Sequence, residues 1–208
     1  MPLNVQYGCG LSAPEHWINF DASPTLRLQR IPLFGKLVKK VDFPKSVKFG
    51  DITKKLSGIK QGTCDAIFCS HVLEHLSFQD FRIALRNSFE LLKQGGRFRC
   101  VLPDLRFSID QYIVEHETDP SSACINFLKN TLLGVESKPK SIKAALIAFF
   151  GNSHHLWMWD RGSLKNELIK TGFKKIRECK FNDSDYSAFK LVEDESRFYG
   201  AIAFESVK

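Results

Sequence analysis

Leu3-Asn4-Val5-Gln6-Tyr7-Gly8-Cys9-Gly10 is followed closely by Trp17-Ile18-Asn19-Phe20-Asp21-Ala22. Each run is a short strand. The first ends on two glycines and the second on an acid. Glycine after a parallel strand lets the backbone approach a ligand closely, and a carboxylate at the tip of the next strand can accept hydrogen bonds from both hydroxyls of a ribose. The pair therefore reads as a nucleoside pocket. A dinucleotide site would need a third glycine and a full helix, whose N-terminus carries the pyrophosphate. Here Gly10 leads into Leu11-Ser12-Ala13-Pro14-Glu15-His16, with no third glycine and too few residues for a long helix. The expected ligand lacks a diphosphate.

Outward from this stretch, the chain alternates strands and helices. Val47 to Asp51 is a third short strand with an acid at its end, and Cys64 to Ser70 is the nearly continuous apolar run of a central parallel strand covered on both faces. Ser77 with Asp80 forms a capping-box signature. Phe78, Phe81, Leu85, Phe89 and Leu92 follow at helical spacing, up to a stop at Lys93-Gln94-Gly95-Gly96. Arg97 to Leu102 is the next strand, ending at Pro103-Asp104. Short joints between strand, crossover and strand predict right-handed units and a parallel sheet.

Three further segments complete the reading. Leu26 to Val38 is a broken amphipathic helix, interrupted at Pro32. Residues 105–155 form a helical insertion after the fifth strand, built around Tyr112, Phe127, Leu132 and Ala144 to Phe150, while Asp160 caps a helix that ends at Gly172. Strands over Phe173 to Phe181 and Arg197 to Phe204 close the chain. The expectation is one α/β domain over 1–208, with 105–155 as the wall or lid of an acceptor pocket.

Composition narrows the class. With 208 residues, 43% hydrophobic and 25% charged, the chain matches an ordinary globular domain. No apolar run approaches the roughly 20 residues of a membrane span, and the first strand begins at once, so a cytoplasmic location is expected. The six cysteines are scattered without a C-x-x-C pair, which points to buried thiols and to no metal. The net charge of +7 comes without a long basic block or a basic-aromatic ladder, so nucleic acid is not the expected partner.

These motifs, in this order, resemble the Rossmann-like S-adenosylmethionine-dependent methyltransferases, particularly the group related to the type 11 methyltransferase domain. The resemblance covers Leu3 to Asp104, through Asn-Val-Gln-Tyr-Gly-Cys-Gly, Ile-Asn-Phe-Asp-Ala-Ser-Pro, Gly-Asp-Ile-Thr, Cys-Ser-His-Val-Leu-Glu-His-Leu and Leu-Leu-Lys-Gln-Gly-Gly-Arg. It continues loosely at Lys170-Thr171-Gly172-Phe173. It implies a doubly wound sheet of seven mostly parallel strands, the last antiparallel, with S-adenosylmethionine as cofactor. It also implies site residues. Tyr7, Gly8, Cys9 and Gly10 would border the methionine part, Asp21 and Ala22 the ribose, Asp51 and Ile52 the adenine, and Ser70 and His71 the methionine end. Tyr7 stands where the family often places an acid.

The catalytic residues are less legible, because methyl transfer from a sulfonium needs alignment first and a base only where the acceptor must lose a proton. His155, in His154-His155-Leu156-Trp157, is the first candidate base and His71 the second. Asp104, Tyr112, His155 and Trp157 are the candidate acceptor-binding residues, and a small molecule, such as a sugar or another metabolite, is the expected acceptor. Two rival readings stand beside this. One is a non-catalytic cofactor-binding module on the same fold. The other takes His71-Val72-Leu73-Glu74-His75 as the H-x-x-E-H pattern of a zinc hydrolase, which requires a long helix and a further acidic ligand. Oligomeric state is not legible.

Overall fold

A computed structural model describes residues 1–30, 42–137 and 154–208. Seven strands, β1 (Asn4–Tyr7), β2 (Trp17–Asp21), β3 (Lys48–Phe49), β4 (Cys64–Ser70), β5 (Leu92–Pro103), β6 (Lys174–Glu178) and β7 (Ala201–Val207), form one sheet in the order β3-β2-β1-β4-β5-β7-β6. β7 alone runs against its neighbours, pairing antiparallel with both β5 and β6, while β1, β2, β3, β4 and β5 pair in parallel. The expected mostly parallel sheet with an antiparallel last strand is therefore the observed one. The chain reverses direction of travel across the sheet between β1 and β4, and the loops at the carboxyl ends of these two strands open one crevice.

Five described helices flank the sheet: α1 (Pro24–Gln29), α2 (Phe78–Leu91), α3 (Leu105–Thr118), α4 (Ala123–Asn130) and α5 (Arg161–Thr171). Local capping chemistry starts four of them, with Ser23 accepting from the Thr25 N–H at α1. Ser77 accepts from the Asp80 N–H, Asp104 from the Arg106 N–H, and Asp160 and Ser163 form a reciprocal capping box. The main core lies between the sheet and the face carrying α2 and α5, where Ile67, Phe81, Leu85, Phe98, Leu164 and Phe204 are buried. Phe81 stacks on Trp159 with ring centroids 4.1 Å apart. Burying each such aromatic contributes roughly 2–3 kcal/mol.

β5 and β7 hold a charge in the interior. The Arg99 side chain is fully enclosed and donates from Nη1 to Asp183 at 3.0 Å and to Glu205 at 2.9 Å, from Nη2 to the Lys180 carbonyl at 2.7 Å, and from Nε to Glu193. Every arm of the guanidinium is occupied. Arg99 is one of several side chains that fasten the segment between β6 and β7 to the sheet, alongside Arg97 with Asp185, Trp17 with the Ala188 carbonyl and Tyr186 with Asn4.

Several boundaries differ from the sequence reading. α2 stops at Leu91, and Leu92 already pairs with Cys64, because the ladder begins before the glycines and then shifts register between Cys64 and Ala66. The last strand starts at Ala201, not Arg197. Residues Glu195–Phe198 form a 3-10 turn whose start is capped by Asp194 accepting from the Ser196 N–H. β3 is shorter than expected, and β6 spans only Lys174–Glu178. α1 supplies the start of the expected basic helix. Pro32 and the rest of that helix, like Ala144 to Phe150, lie outside the described residues.

Candidate active site

Two cavities adjoin at the carboxyl ends of β1 and β4. The smaller, of about 480 Å³, is lined by Gln6 to Ser12, Phe68, Ser70 and residues 192–194 together with Arg197. The larger, of about 780 Å³, includes His71, Glu74, Tyr112, His155, Tyr199 and again Arg197 in its walls. Ser70 and His71, consecutive in sequence, face different cavities and so form the step between them.

The glycine loop is built by close approach. Gly8 has φ +66°, and a Cβ placed there would lie 2.1 Å from Val72 Cγ2, so this glycine lets the turn after β4 pack against the turn after β1. Gly10 has φ +55° with open space where its Cβ would stand. Its N–H donates to Asp21 Oδ2 at 2.9 Å, and the Ser23 N–H donates to Oδ1 at 2.7 Å. The buried Asp21 carboxylate thus joins the two loops and retains one lone pair on each oxygen. Cys9 is buried beside it, donates to the Gly10 carbonyl at 3.5 Å, and has its thiol pushed up to about 12 by burial and then by the Asp21 charge. Ala22 is exposed.

Tyr7 lines the smaller cavity with its backbone neighbours, whereas Asp51 and Ile52 line neither cavity. The Tyr7 ring is buried, and its hydroxyl accepts from Ser88 Oγ at 3.3 Å, directed toward α2. Asp51 accepts from the Thr53 N–H at 3.0 Å and from Thr53 Oγ1 at 2.7 Å, closing a turn after β3. Ile52 is buried in the main core, while its carbonyl accepts from Asn87.

Of the acceptor candidates, Tyr112 and His155 reach the larger cavity. Tyr112 stacks on His116 and meets Phe127 edge-on. Asp104 instead caps α3 and accepts from Arg161 Nη1 at 2.8 Å, and Trp157 packs tilted against Phe78 with ring centroids 4.8 Å apart; neither lines the cavity.

Ionisation in the larger cavity is dominated by burial. His71, whose Nδ1 lies 3.2 Å from Ser70 Oγ, is pushed down to about 4 by burial and then by Arg197. His155 is likewise pushed down to about 4, by burial and then by the His75 charge. Both imidazoles are neutral near neutral pH and have an unprotonated ring nitrogen, while the same burial makes them weak bases. Glu74, 1% exposed, moves the other way to about 8 because its charged form is desolvated.

Glu74 and Arg197 were not singled out as acceptor-cavity residues by the sequence. Arg197 borders both cavities and its guanidinium makes no hydrogen bond or ion pair to the described residues. Its sequence signal was masked by Phe198 and Tyr199, which favour strand. The H-x-x-E-H stretch does not form the long helix that a zinc hydrolase requires. His71 has φ +55°, and only Leu73–His75 make a short 3-10 turn, so His71 and His75 are not ligands one α-helical turn apart.

A mostly parallel sheet with β7 reversed, whose first loop is a glycine turn tied to an acid on β2, is a Rossmann-like fold. A family model described as a methyltransferase domain matches residues 10–178, and the chain belongs to that family. Its fold is shared with a S-adenosylmethionine-dependent methyltransferase from Thermotoga maritima, at 14% identity and TM-score 0.53, covering 100% of this chain and 83% of that one. A second such enzyme, from Archaeoglobus fulgidus, aligns at 15% identity and TM-score 0.52 over 100% and 86% of the two chains. Phosphoethanolamine N-methyltransferase 2 of Haemonchus contortus, solved with phosphomonomethylethanolamine and S-adenosylhomocysteine, aligns at 11% identity and TM-score 0.51 over 100% of this chain and 49% of that one. No curated protein sequence matches the chain. Among the described residues, no helix is long and apolar enough to cross a membrane.

Proposed function

We propose that the chain is a S-adenosylmethionine-dependent methyltransferase that methylates a small molecule held in the larger cavity. The observation that carries this reading is the junction of the two cavities at Ser70, His71 and Arg197, with the glycine loop on one side and neutral histidines on the other. The smaller cavity suits the cofactor. Gly10 leaves open space, and Asp21, which braces the Gly10 loop from outside the cavity wall, has spare lone pairs that can accept from ribose hydroxyls reaching past that loop. The presence of S-adenosylhomocysteine in the Haemonchus enzyme supports the same use of this fold.

When bound, the cofactor supplies a methyl group on a positively charged sulfur, which leaves as a neutral thioether. The residues of this chain then align the acceptor and exclude water. Tyr112, Phe127 and Leu132 provide an apolar wall, and Tyr199 and Arg197 a polar one suited to an anionic group. Where the acceptor atom is an oxygen or nitrogen that must shed a proton, His155 and His71 are the groups able to receive it.

Turnover on an acceptor panel, read as S-adenosylhomocysteine release, tests the reaction. Binding of S-adenosylmethionine with no release across the panel would favour a non-catalytic module. Asp21→Ala should weaken cofactor affinity about tenfold or more in calorimetric titration, roughly 1.4 kcal/mol. Unchanged affinity in the folded variant would overturn the ribose assignment.

A further inference from the structure

We propose that Glu74, His75 and His155 form a divalent transition-metal site in the wall of the larger cavity. The ligand atoms of all three lie within 4.8 Å of one another, although His155 comes from a distant part of the chain. Glu74 and His75 sit on the 3-10 turn after β4, and His155 on the segment entering α5. That segment is fastened in place, since the Leu156 and Trp157 N–H groups both donate to the Glu74 carbonyl, at 2.8 and 3.1 Å, and the His155 N–H donates to the Leu132 carbonyl at 3.2 Å.

The Glu74 carboxylate supplies a second, independent observation. It is 1% exposed, and neither oxygen has a hydrogen-bond partner among the described residues. Buried carboxylates are ordinarily paired, because an unpaired one forfeits its hydration without compensation. Its neighbours are imidazole nitrogens just beyond hydrogen-bonding range: Oε1 is 3.9 Å from His75 Nε2 and 3.8 Å from His155 Nε2.

The tautomer of His75 sharpens this. Its Nδ1 lies 3.0 Å from the His154 carbonyl, which can only accept, so Nδ1 carries the proton and the Nε2 lone pair faces the carboxylate. The space between these two groups takes either the proton that the metal-free carboxyl holds or, with the carboxyl charged, a cation shared by both. A histidine that donates its other ring N–H to a backbone carbonyl is oriented as metal-ligating histidines are. A metal about 2.1 Å from each donor separates tetrahedral ligands by roughly 3.4 Å, so each histidine needs to close on the carboxylate by about half an ångström, and the two histidines, within 4.8 Å of each other, by up to about 1.4 Å.

Two imidazoles and a carboxylate suit zinc, iron, cobalt or manganese in the divalent state. All three residues border the larger cavity, so the remaining coordination positions open toward it. There the ion can hold an acceptor oxygen or nitrogen and favour its deprotonated form. That role rests on the methyltransferase reading, whereas the site itself does not. The site also differs from the H-x-x-E-H reading, since His155 takes the place of His71.

The test is a titration of chelator-stripped full-length protein with Co²⁺, followed by its visible absorption and then by Zn²⁺ competition, with neither cofactor nor acceptor present. We expect one equivalent bound. His155→Ala and Glu74→Gln should each weaken binding at least tenfold, and His71→Ala should leave it unchanged, with thermal melts confirming that every variant is folded. Failure of the wild-type protein to bind one equivalent would overturn the site, as would a loss in His71→Ala equal to that in His155→Ala. Cofactor binding and methyl transfer are measured separately, so either reading can fail alone.

Discussion

Replacing Glu74 by Gln should stabilise the metal-free protein, by an amount that depends on pH in a defined direction. Burial raises the folded-state Glu74 from the ordinary 4.5 to about 8, so between these values the folded chain holds a proton that the unfolded chain releases. Stability therefore falls as pH rises through this window, and the group contributes no penalty below it. At about 1.36 kcal/mol per pH unit, the penalty is roughly 1 kcal/mol near pH 5 and roughly 4 kcal/mol near pH 8. Glutamine has the same shape without the charge, and its N–H groups can donate to the His75 Nε2 lone pair. Urea denaturation of both proteins in chelator, at about pH 5 and about pH 8, should show the advantage of the variant growing by roughly 3 kcal/mol. A difference that is the same at both pH values would refute the reasoning. With a saturating divalent metal the order should reverse, since the ion replaces the proton and stabilises only the wild type.

Gly8→Ala should destabilise the fold by about 2 kcal/mol or more, because its Cβ would collide with Val72 and hold a left-handed backbone. Combining it with Val72→Ala should return part of that loss in thermal melts, and no recovery would place the strain elsewhere. Arg99→Met should cost on the order of 3–5 kcal/mol in denaturant unfolding, since it leaves Glu193 buried without its cation and takes from Glu205 one of three arginines. The His155 ring should show no protonation by NMR above about pH 5, as burial holds its folded value at about 4. Stability should accordingly decline on acidification from 6.5, where the unfolded imidazole gains its proton, toward 4.

The parts legible in the sequence are those set by neighbours along the chain. Apolar runs such as Cys64 to Ser70 and caps such as Ser77 and Asp160 involve residues a few positions apart, and they locate β4, α2 and α5 correctly. The final strand was read too early because Phe198 and Tyr199 favour strand, whereas the Asp194 cap and Gly200 at φ +63° hold that stretch outside the sheet. Asp51 looked like a ligand-facing acid, and yet its carboxylate closes a local turn with Thr53. The meeting of Glu74 with His155 had no local signal at all. It depends on backbone hydrogen bonds between segments far apart in sequence, and its chemistry becomes visible only through burial.

The enclosed Arg99 binds the history of several positions together. Loss of the arginine strands Glu193 in the interior, and loss of one acid removes part of the arginine's neutralisation, so each single exchange passes through a damaged intermediate. Arg99, Asp183, Glu193 and Glu205 should therefore be inherited as a set and replaced as a set. Glu193 lies only four positions before Arg197 and lines the cofactor-side cavity with it. Drift in the sheet is thereby constrained by the same lineage pressure that preserves the wall between the two pockets.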